Sequence, residues 1–413
     1  MSENARQQQV VPAIEAKLER LLAAGDVPGL ALANVRAGKV EPPICCGKRD
    51  VRTPLRVDGD TVFDAASLSK PVFAHVVLQL MDGGVLSLDA PLADYLPGYI
   101  LDDDRAASIT AAQVLSHSSG LPNWRNDDLP LKTYFAPGTR FSYSGEGFLY
   151  LQKAVELLTG EKLHDIADRL VFKPFGMTRS SFVWEWRFDP NRATPHDDFG
   201  RPRVSWKPGE GNAAATLQTT AADYARFLLR VMDGSRLQPD TSRLWLLAHS
   251  QVRHAKPVLL GRVAEDRFTG VAWGLGWGLE PSEGTFFHWG DNGAYKAFTV
   301  GSVQTRDAFV CLMNGASGLA LMPEIASAVM PGPRPSLNWL EYGRHDDPAR
   351  RILRAARTHG AAAVWSDIEE AGLDGGDREW IARGLTAAGL DEDGHWLRER
   401  NNQRDGNRSP QHR

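Results

Sequence analysis

Ser67 and Lys70 stand three residues apart in Asp64-Ala65-Ala66-Ser67-Leu68-Ser69-Lys70-Pro71, and that spacing can do chemistry. Residues three apart on a helix share a face, which places an amine one turn from a hydroxyl. Such an amine takes the serine proton once burial and its neighbours leave it partly neutral. A helix that begins at the serine adds a positive partial charge favouring alkoxide. S-x-x-K is a short pattern that arises by chance in many chains, yet it occurs once in these 413 residues. It also opens the run Val72 to Met81, which is apolar nearly all round and so marks a helix buried on every side. A lysine placed there has a task or a paired network, because burying one without a partner is costly.

The elements that must position this pair follow from the flanking sequence. Pro71 fits only in a first helical turn, so the helix starts near Ser67, and Gly83-Gly84 supplies its stop. Upstream, Val10 to Ala24 carries a helical pattern broken at Asp26-Val27-Pro28-Gly29. Leu30 to Val35 then reads as a strand that turns at Gly38 and returns before Cys45. From Thr110, whose Thr110-Ala111-Ala112-Gln113 has the form of a capping box, the pattern is helical with long loops to about residue 200. A helix is expected over Ala221 to Met232. Strand signals return at Val271–Leu279, Thr285–Gly290, Lys296–Val303 and Ala308–Asn314, and a last apolar helix spans Leu319 to Met330. The expected fold is α/β of the α+β type, an antiparallel sheet flanked by helices with an all-helical part over about 110–200. Pro331-Gly332-Pro333-Arg334-Pro335 marks a boundary, giving a main domain over 1–332 and a helical extension over 333–413. That extension is expected to carry helices at Pro348–Arg357 and Asp377–Ala388 and a disordered polar end from Asn401 to Arg413.

Two further motifs occur in order behind Ser67 and Lys70: Tyr143-Ser144-Gly145, and His288-Trp289-Gly290. With Leu115 to Pro122 (LSHSSGLP), Phe141 to Gly147, Pro174 to Met177 and Gly274 to Trp277, they cover residues 10 to 332. On these stretches the chain resembles the serine β-lactamase and penicillin-binding superfamily, on its class C and D,D-peptidase side. It is similar above all to β-lactamase-related esterases and serine hydrolases. The resemblance implies that Ser67 is the acyl-enzyme nucleophile and Lys70 its proton partner. It implies that Tyr143 shuttles a proton to the leaving group, with a phenol depressed by two nearby cations. It places His288, Trp289 and Gly290 on the substrate side, with backbone N–H groups of Ser67 and Asp291 as the oxyanion hole.

The sequence departs from the parent pattern twice. His288-Trp289-Gly290 replaces Lys-Thr-Gly, exchanging a permanent cation for a histidine that can be neutral near pH 7. Gly145 stands where the Tyr-x-Asn pattern has asparagine, which weighs more against β-lactam recognition than against ester hydrolysis. Trp124, Trp184, Trp186 and Trp289 are candidates to line an apolar cleft. The expected reaction is hydrolysis of a carboxylic ester or small amide through an acyl-enzyme. A D-amino-acid peptidase or amidase, a weak β-lactamase, an acyltransferase and a silent binding protein are the alternatives.

Composition bounds the rest. Apolar residues make up 42% of the chain and there are 12 Trp, enough for a large packed core and incompatible with extensive disorder. A net charge of −4 offers no broad field for nucleic acid or anionic membrane. No cofactor is called for. His196-Asp197-Asp198 and His345-Asp346-Asp347 lack metal-site spacing and read as solvated loops. There is no G-x-S-x-G elbow and no Gly-rich phosphate loop. Three cysteines, two of them adjacent, suggest a reducing compartment, and a polar N-terminus without an apolar signal core fits a cytoplasmic protein. The C-terminal helices could dock on the main domain, pair two chains into a homo-oligomer, or shape the cleft.

Overall fold

The central strands alternate between two buried faces, and that alternation fixes the architecture. In β1 (Gly29–Arg36), Ala31, Ala33 and Val35 enter one apolar core while Leu30 and Leu32 enter another. A strand buried on both faces reads as a nearly continuous apolar run, which is why this sheet has helices on either side. The computed structural model describes residues 3–261 and 266–406. Chain order continues with β2 (Lys39–Val40), β3 (Ile44–Gly47), β4 (Phe63–Asp64), β5 (Gln218–Thr219) and β6 (Ser250–Gln251). Next come β7 (Ala272–Trp273), β8 (Gly278–Glu280), β9 (Thr285–Asp291), β10 (Lys296–Ser302) and β11 (Asp307–Met313).

The main sheet runs β2-β1-β11-β10-β9-β8-β7-β6, with β3 also on β1, and the pairings among these strands are antiparallel. Small β4 and β5 form a separate pair, and β4 leads into the turn that carries Ser67. The Ser69–Asp82 and Ala221–Asp233 helices cover the face carrying Ala31, Ala33 and Val310. Leu18, Leu21 and Leu22 of the Glu3–Ala24 helix and Ile325 and Val329 of the Met322–Val329 helix cover the other. The α+β expectation is therefore met. The Thr110–Gln113 capping box is present, with both reciprocal hydrogen bonds made.

Several expected boundaries shift. The strand anticipated over Val271–Leu279 is a hairpin, β7 and β8, because Gly276 takes φ +86° and turns the chain. The return of β1 comes in two pieces, and the second, β3, includes Cys45 and Cys46 instead of ending before them. The Asp391–Gly406 helix carries through Asn401, where a disordered end was expected to start. Residues 407–413 lie outside the described residues.

Packing continues past the Pro331–Pro335 run. The Pro335–Leu340 helix buries Trp339 and Leu340 in the same core as Phe141, Trp273 and Trp289. Later helices build a separate core around Ile352, Leu353, Ile368, Ile381 and Leu385. Arg357 ties that unit back through both carboxylate oxygens of Asp26, at 2.9 and 2.7 Å. Among the described residues no helix is long and apolar enough to cross a membrane.

Candidate active site

Four segments converge on Ser67. The first is its own turn. Ala66, at φ +50°, bends the chain out of β4 into a 3-10 turn, Ala66–Leu68, that runs into the Ser69–Asp82 helix. A non-glycine residue in that region is uncommon and has to be held there. Asp64 Oδ1 accepts the Ala66 N–H at 2.8 Å, and Ser69 Oγ donates to the Ala66 carbonyl at 2.5 Å while accepting the Leu217 N–H at 2.9 Å. Asn292 Nδ2 in turn donates to both oxygens of Asp64, at 2.9 and 3.1 Å. Burial pushes the Asp64 carboxyl up to about 6, against the pull of these donors.

Lys70 is fully buried one turn on. Its Nζ lies 3.0 Å from Ser67 Oγ and donates to the Ala214 carbonyl at 2.8 Å. Among the described residues no carboxylate pairs with it, and burial drives the amine well below its ordinary value. With one N–H spent on Ala214, a neutral Lys70 can turn its lone pair to the serine proton. This is the arrangement expected from the sequence.

Tyr143 comes from the loop before the Gly145–Thr159 helix, whose N-cap Ser144 accepts the Gly147 N–H at 2.9 Å. The Lys70 Nζ stands 4.6 Å from the centre of the Tyr143 ring. The phenol oxygen is buried, with only the Ser67 hydroxyl close to it among the described residues. Here the structure corrects the sequence reading: burial pushes the phenol far above its usual range, and the Ser67 hydroxyl opposes this only weakly. Tyr143 is thus a protonated phenol that can pass a proton but does not start as a phenolate. Tyr143→Phe is expected to lower kcat roughly 10²–10⁴-fold. The acidic limb of its pH–rate profile, set by Lys70, should stay where it is in the wild type.

The fourth segment is β9. Its partner β8 pairs only as far as Phe287, so residues 288–291 present a free edge on that side. Gly290 lies against the Ser67 turn so closely that a Cβ there would stand 2.5 Å from the Ala65 carbonyl oxygen. Only glycine lets the two backbones meet. Trp289 packs on Tyr143 with ring centres 4.8 Å apart.

His288 departs from its expected substrate-side role. Its side chain is completely buried, with Nδ1 donating to the Trp289 carbonyl at 2.8 Å. Burial above all holds it down to about 3, so it presents no cation to a substrate carboxylate. His117 was quoted above only as part of a motif. It lies 4.1 Å, ring to ring, from Tyr143 and accepts the Ser144 N–H on Nδ1 at 3.0 Å. It is buried and neutral for the same reason. Its left-handed backbone, φ +53°, is something no sequence pattern announces.

Gly145 is explained by Trp124. The indole occupies the space where a side chain would go, with Cη2 2.8 Å and the Asn123 carbonyl oxygen 2.9 Å from the position of a Cβ. Asn123 Oδ1 accepts the Gly145 N–H at 3.0 Å, and Arg125 binds buried Glu146 through three hydrogen bonds, so the loop is clamped. Gly145→Asn is expected to destabilise the protein by roughly 1–3 kcal/mol through overpacking, read as a lower thermal midpoint, without creating β-lactam turnover.

Of the other tryptophans proposed for the cleft, Trp184 and Trp186 instead flank Lys207 Nζ, 5.1 Å from each ring centre. A pocket of about 370 Å³, lined in part by Asp64, Trp206, Ala215, Asn292 and Tyr295, adjoins the Ala214 side of the site. His196, expected in a solvated loop, is buried with Nδ1 3.0 Å from the Asn314 carbonyl. Among the described residues no cluster of His, Cys, Asp or Glu is arranged to hold a metal ion.

A serine at a strained turn, a buried lysine on the next helical turn, a tyrosine from a helical lobe and an open sheet edge together define a serine hydrolase of the β-lactamase and penicillin-binding superfamily. Comparison agrees: the Beta-lactamase family model matches residues 14–329, and the chain belongs to that family. It is 30% identical to "Penicillin-binding protein 4" of Amycolatopsis lactamdurans over 280 residues, 62% of this chain and 72% of that protein. It is 32% identical to "Esterase EstB" of Burkholderia gladioli over 205 residues, 40% of this chain and 50% of the esterase. Among solved structures, an octameric penicillin-binding protein homologue from Pyrococcus abyssi superposes with a TM-score of 0.65 at 20% identity. That match covers 83% of this chain and 81% of the other, and it bears on the fold alone.

Proposed function

We propose that this protein hydrolyses carboxylic esters or small amides through an acyl-enzyme on Ser67. The observation that carries the proposal is the buried, carboxylate-free Lys70 amine 3.0 Å from Ser67 Oγ. In acylation, Ser67 Oγ attacks the carbonyl carbon as its proton passes to Lys70. The resulting oxyanion faces the backbone N–H groups of Ser67 and Asp291. The proton then moves through the Tyr143 hydroxyl to the leaving oxygen or nitrogen as that bond breaks. Water then attacks the acyl carbon as its proton passes to Lys70; the bond from that carbon to Ser67 Oγ breaks, Lys70 returns the proton to the serine, and the carboxylic acid leaves.

Ester or small amide is favoured over a peptide ending in a free carboxylate. His288 is neutral and buried, and Trp124 fills the space beside Gly145, so no cation or side-chain amide stands ready at those two positions. The likeness to an esterase over 205 residues supports the same side. Cys45, Cys46 and Cys311 are free, which supports action in a reducing compartment such as the cytoplasm.

Pre-steady-state hydrolysis of p-nitrophenyl butyrate tests the proposal. A burst of nitrophenolate followed by slower turnover is expected. A burst with no turnover would point to an acyltransferase awaiting its acceptor. No release above background would count against esterase activity.

A further inference from the structure

The chain beyond the matched family segment reaches the site. The family model ends at residue 329, yet Tyr342 donates its hydroxyl to Asp291 Oδ2 at 2.9 Å. The other oxygen of that carboxylate pairs with Lys296 Nζ and accepts the Gly293 N–H at 2.9 Å. Lys296 is itself buried and lies 5.6 Å over the Tyr342 ring, so the three side chains form one packed unit. Tyr342 follows directly on the Pro335–Leu340 helix. That helix is pinned by Trp339, whose Nε1 donates to the His254 carbonyl at 3.0 Å and whose ring meets Trp289 edge-on at 5.7 Å. Ser336 anchors its start, donating from both N and Oγ to buried Glu280 at 3.0 and 2.7 Å.

Asp291 is an awkward residue for its place. In the acyl-enzyme reading its backbone N–H stabilises an oxyanion, while its own side chain carries a negative charge. A carboxylate free to swing toward the site would oppose the charge that develops there, and in a water-poor cleft such opposition is strong. Lys296 and Tyr342 hold one oxygen each and so fix where the carboxylate sits.

We propose that Tyr342 is a positioning residue: by holding the Asp291 carboxylate with Lys296, it keeps that charge off the oxyanion site at the end of β9. The C-terminal segment thereby completes the active site. The inference rests on the acyl-enzyme reading above.

The test is the second-order rate of Ser67 labelling by an alkyl fluorophosphonate. In that step a Ser67 Oγ–P bond forms, the P–F bond breaks, fluoride leaves and the serine proton passes to Lys70. Tyr342→Phe keeps the ring and its packing, so the thermal midpoint should hold. Its labelling rate should fall about tenfold, less than the roughly 10²–10³ for loss of a direct oxyanion donor. Asp291→Asn removes the charge, so adding Tyr342→Phe to it should cost little more. An unchanged rate in Tyr342→Phe would overturn the inference, as would an equal loss in the Asp291→Asn background, which would mean packing alone. If the wild type itself is not labelled at Ser67, the acyl-enzyme reading falls and takes this inference with it. Labelling of the wild type with no effect of Tyr342→Phe removes only the inference.

Discussion

Lys70→Met is expected to reduce the acylation rate by about 10³–10⁴-fold, at the upper end of what a positioned base contributes. The methionine fills nearly the same buried volume, so the loss reports chemistry and not collapse of the helix. Lys70→Arg should not rescue it, because a guanidinium keeps its proton at any working pH. In the wild type, kcat/KM should rise as pH rises through the Lys70 value, which burial places well below that of a free lysine. That rising limb should vanish in Lys70→Met. Stability should move in the same direction. With a depressed value in the folded state, the unfolded chain binds more protons at neutral pH, so the charged form is a cost to folding. Wild-type stability therefore rises with pH between the depressed value and the ordinary 10.5. Lys70→Met lacks that slope and is expected to unfold at a temperature no lower than the wild type at pH 7. Thermal melts of both proteins at two pH values measure the difference. A large drop in the mutant midpoint would show that the lysine is held for structure.

Ser67→Ala is expected to abolish the burst and to lower turnover by at least about 10³-fold, since removing a nucleophile leaves only binding and oxyanion stabilisation. The serine is partly exposed and its side chain meets only Lys70 and Tyr143 of the site, so the fold should be untouched. Combining the two changes should cost little beyond Ser67→Ala alone, because the base has no work without its nucleophile. Additive losses in the double mutant would mean that Lys70 serves some other step.

How much of this was legible in the chain depended on whether the determining contacts were local. Ser67 and Lys70 are one helical turn apart, so their spacing and the apolar run behind them were enough. The strands β9, β10 and β11 were readable because each buries both faces and so shows an unbroken apolar run. Contacts between distant loops left no such trace. Trp124 and Gly145 are partners only because Arg125 and Glu146 clamp two loops together, and nothing in either sequence announces it. The raised value of the Tyr143 phenol depends on burial, which no residue pattern around it shows. The Pro335–Leu340 helix is too short to show a period, so Trp339 and Tyr342 looked like the start of an extension when they pack beside the site. The Val271–Leu279 segment misled because two glycines hid a hairpin in an apolar run.

One measurement bears most directly on the central claim. The protein is mixed with p-nitrophenyl butyrate, quenched in acid during the burst, digested and mapped by mass spectrometry. A butyryl group on the peptide carrying Ser67, present at the quench and gone after turnover, is the predicted result. Nitrophenolate release with no adduct, or with the adduct on another residue, would contradict the assignment of Ser67 as the nucleophile.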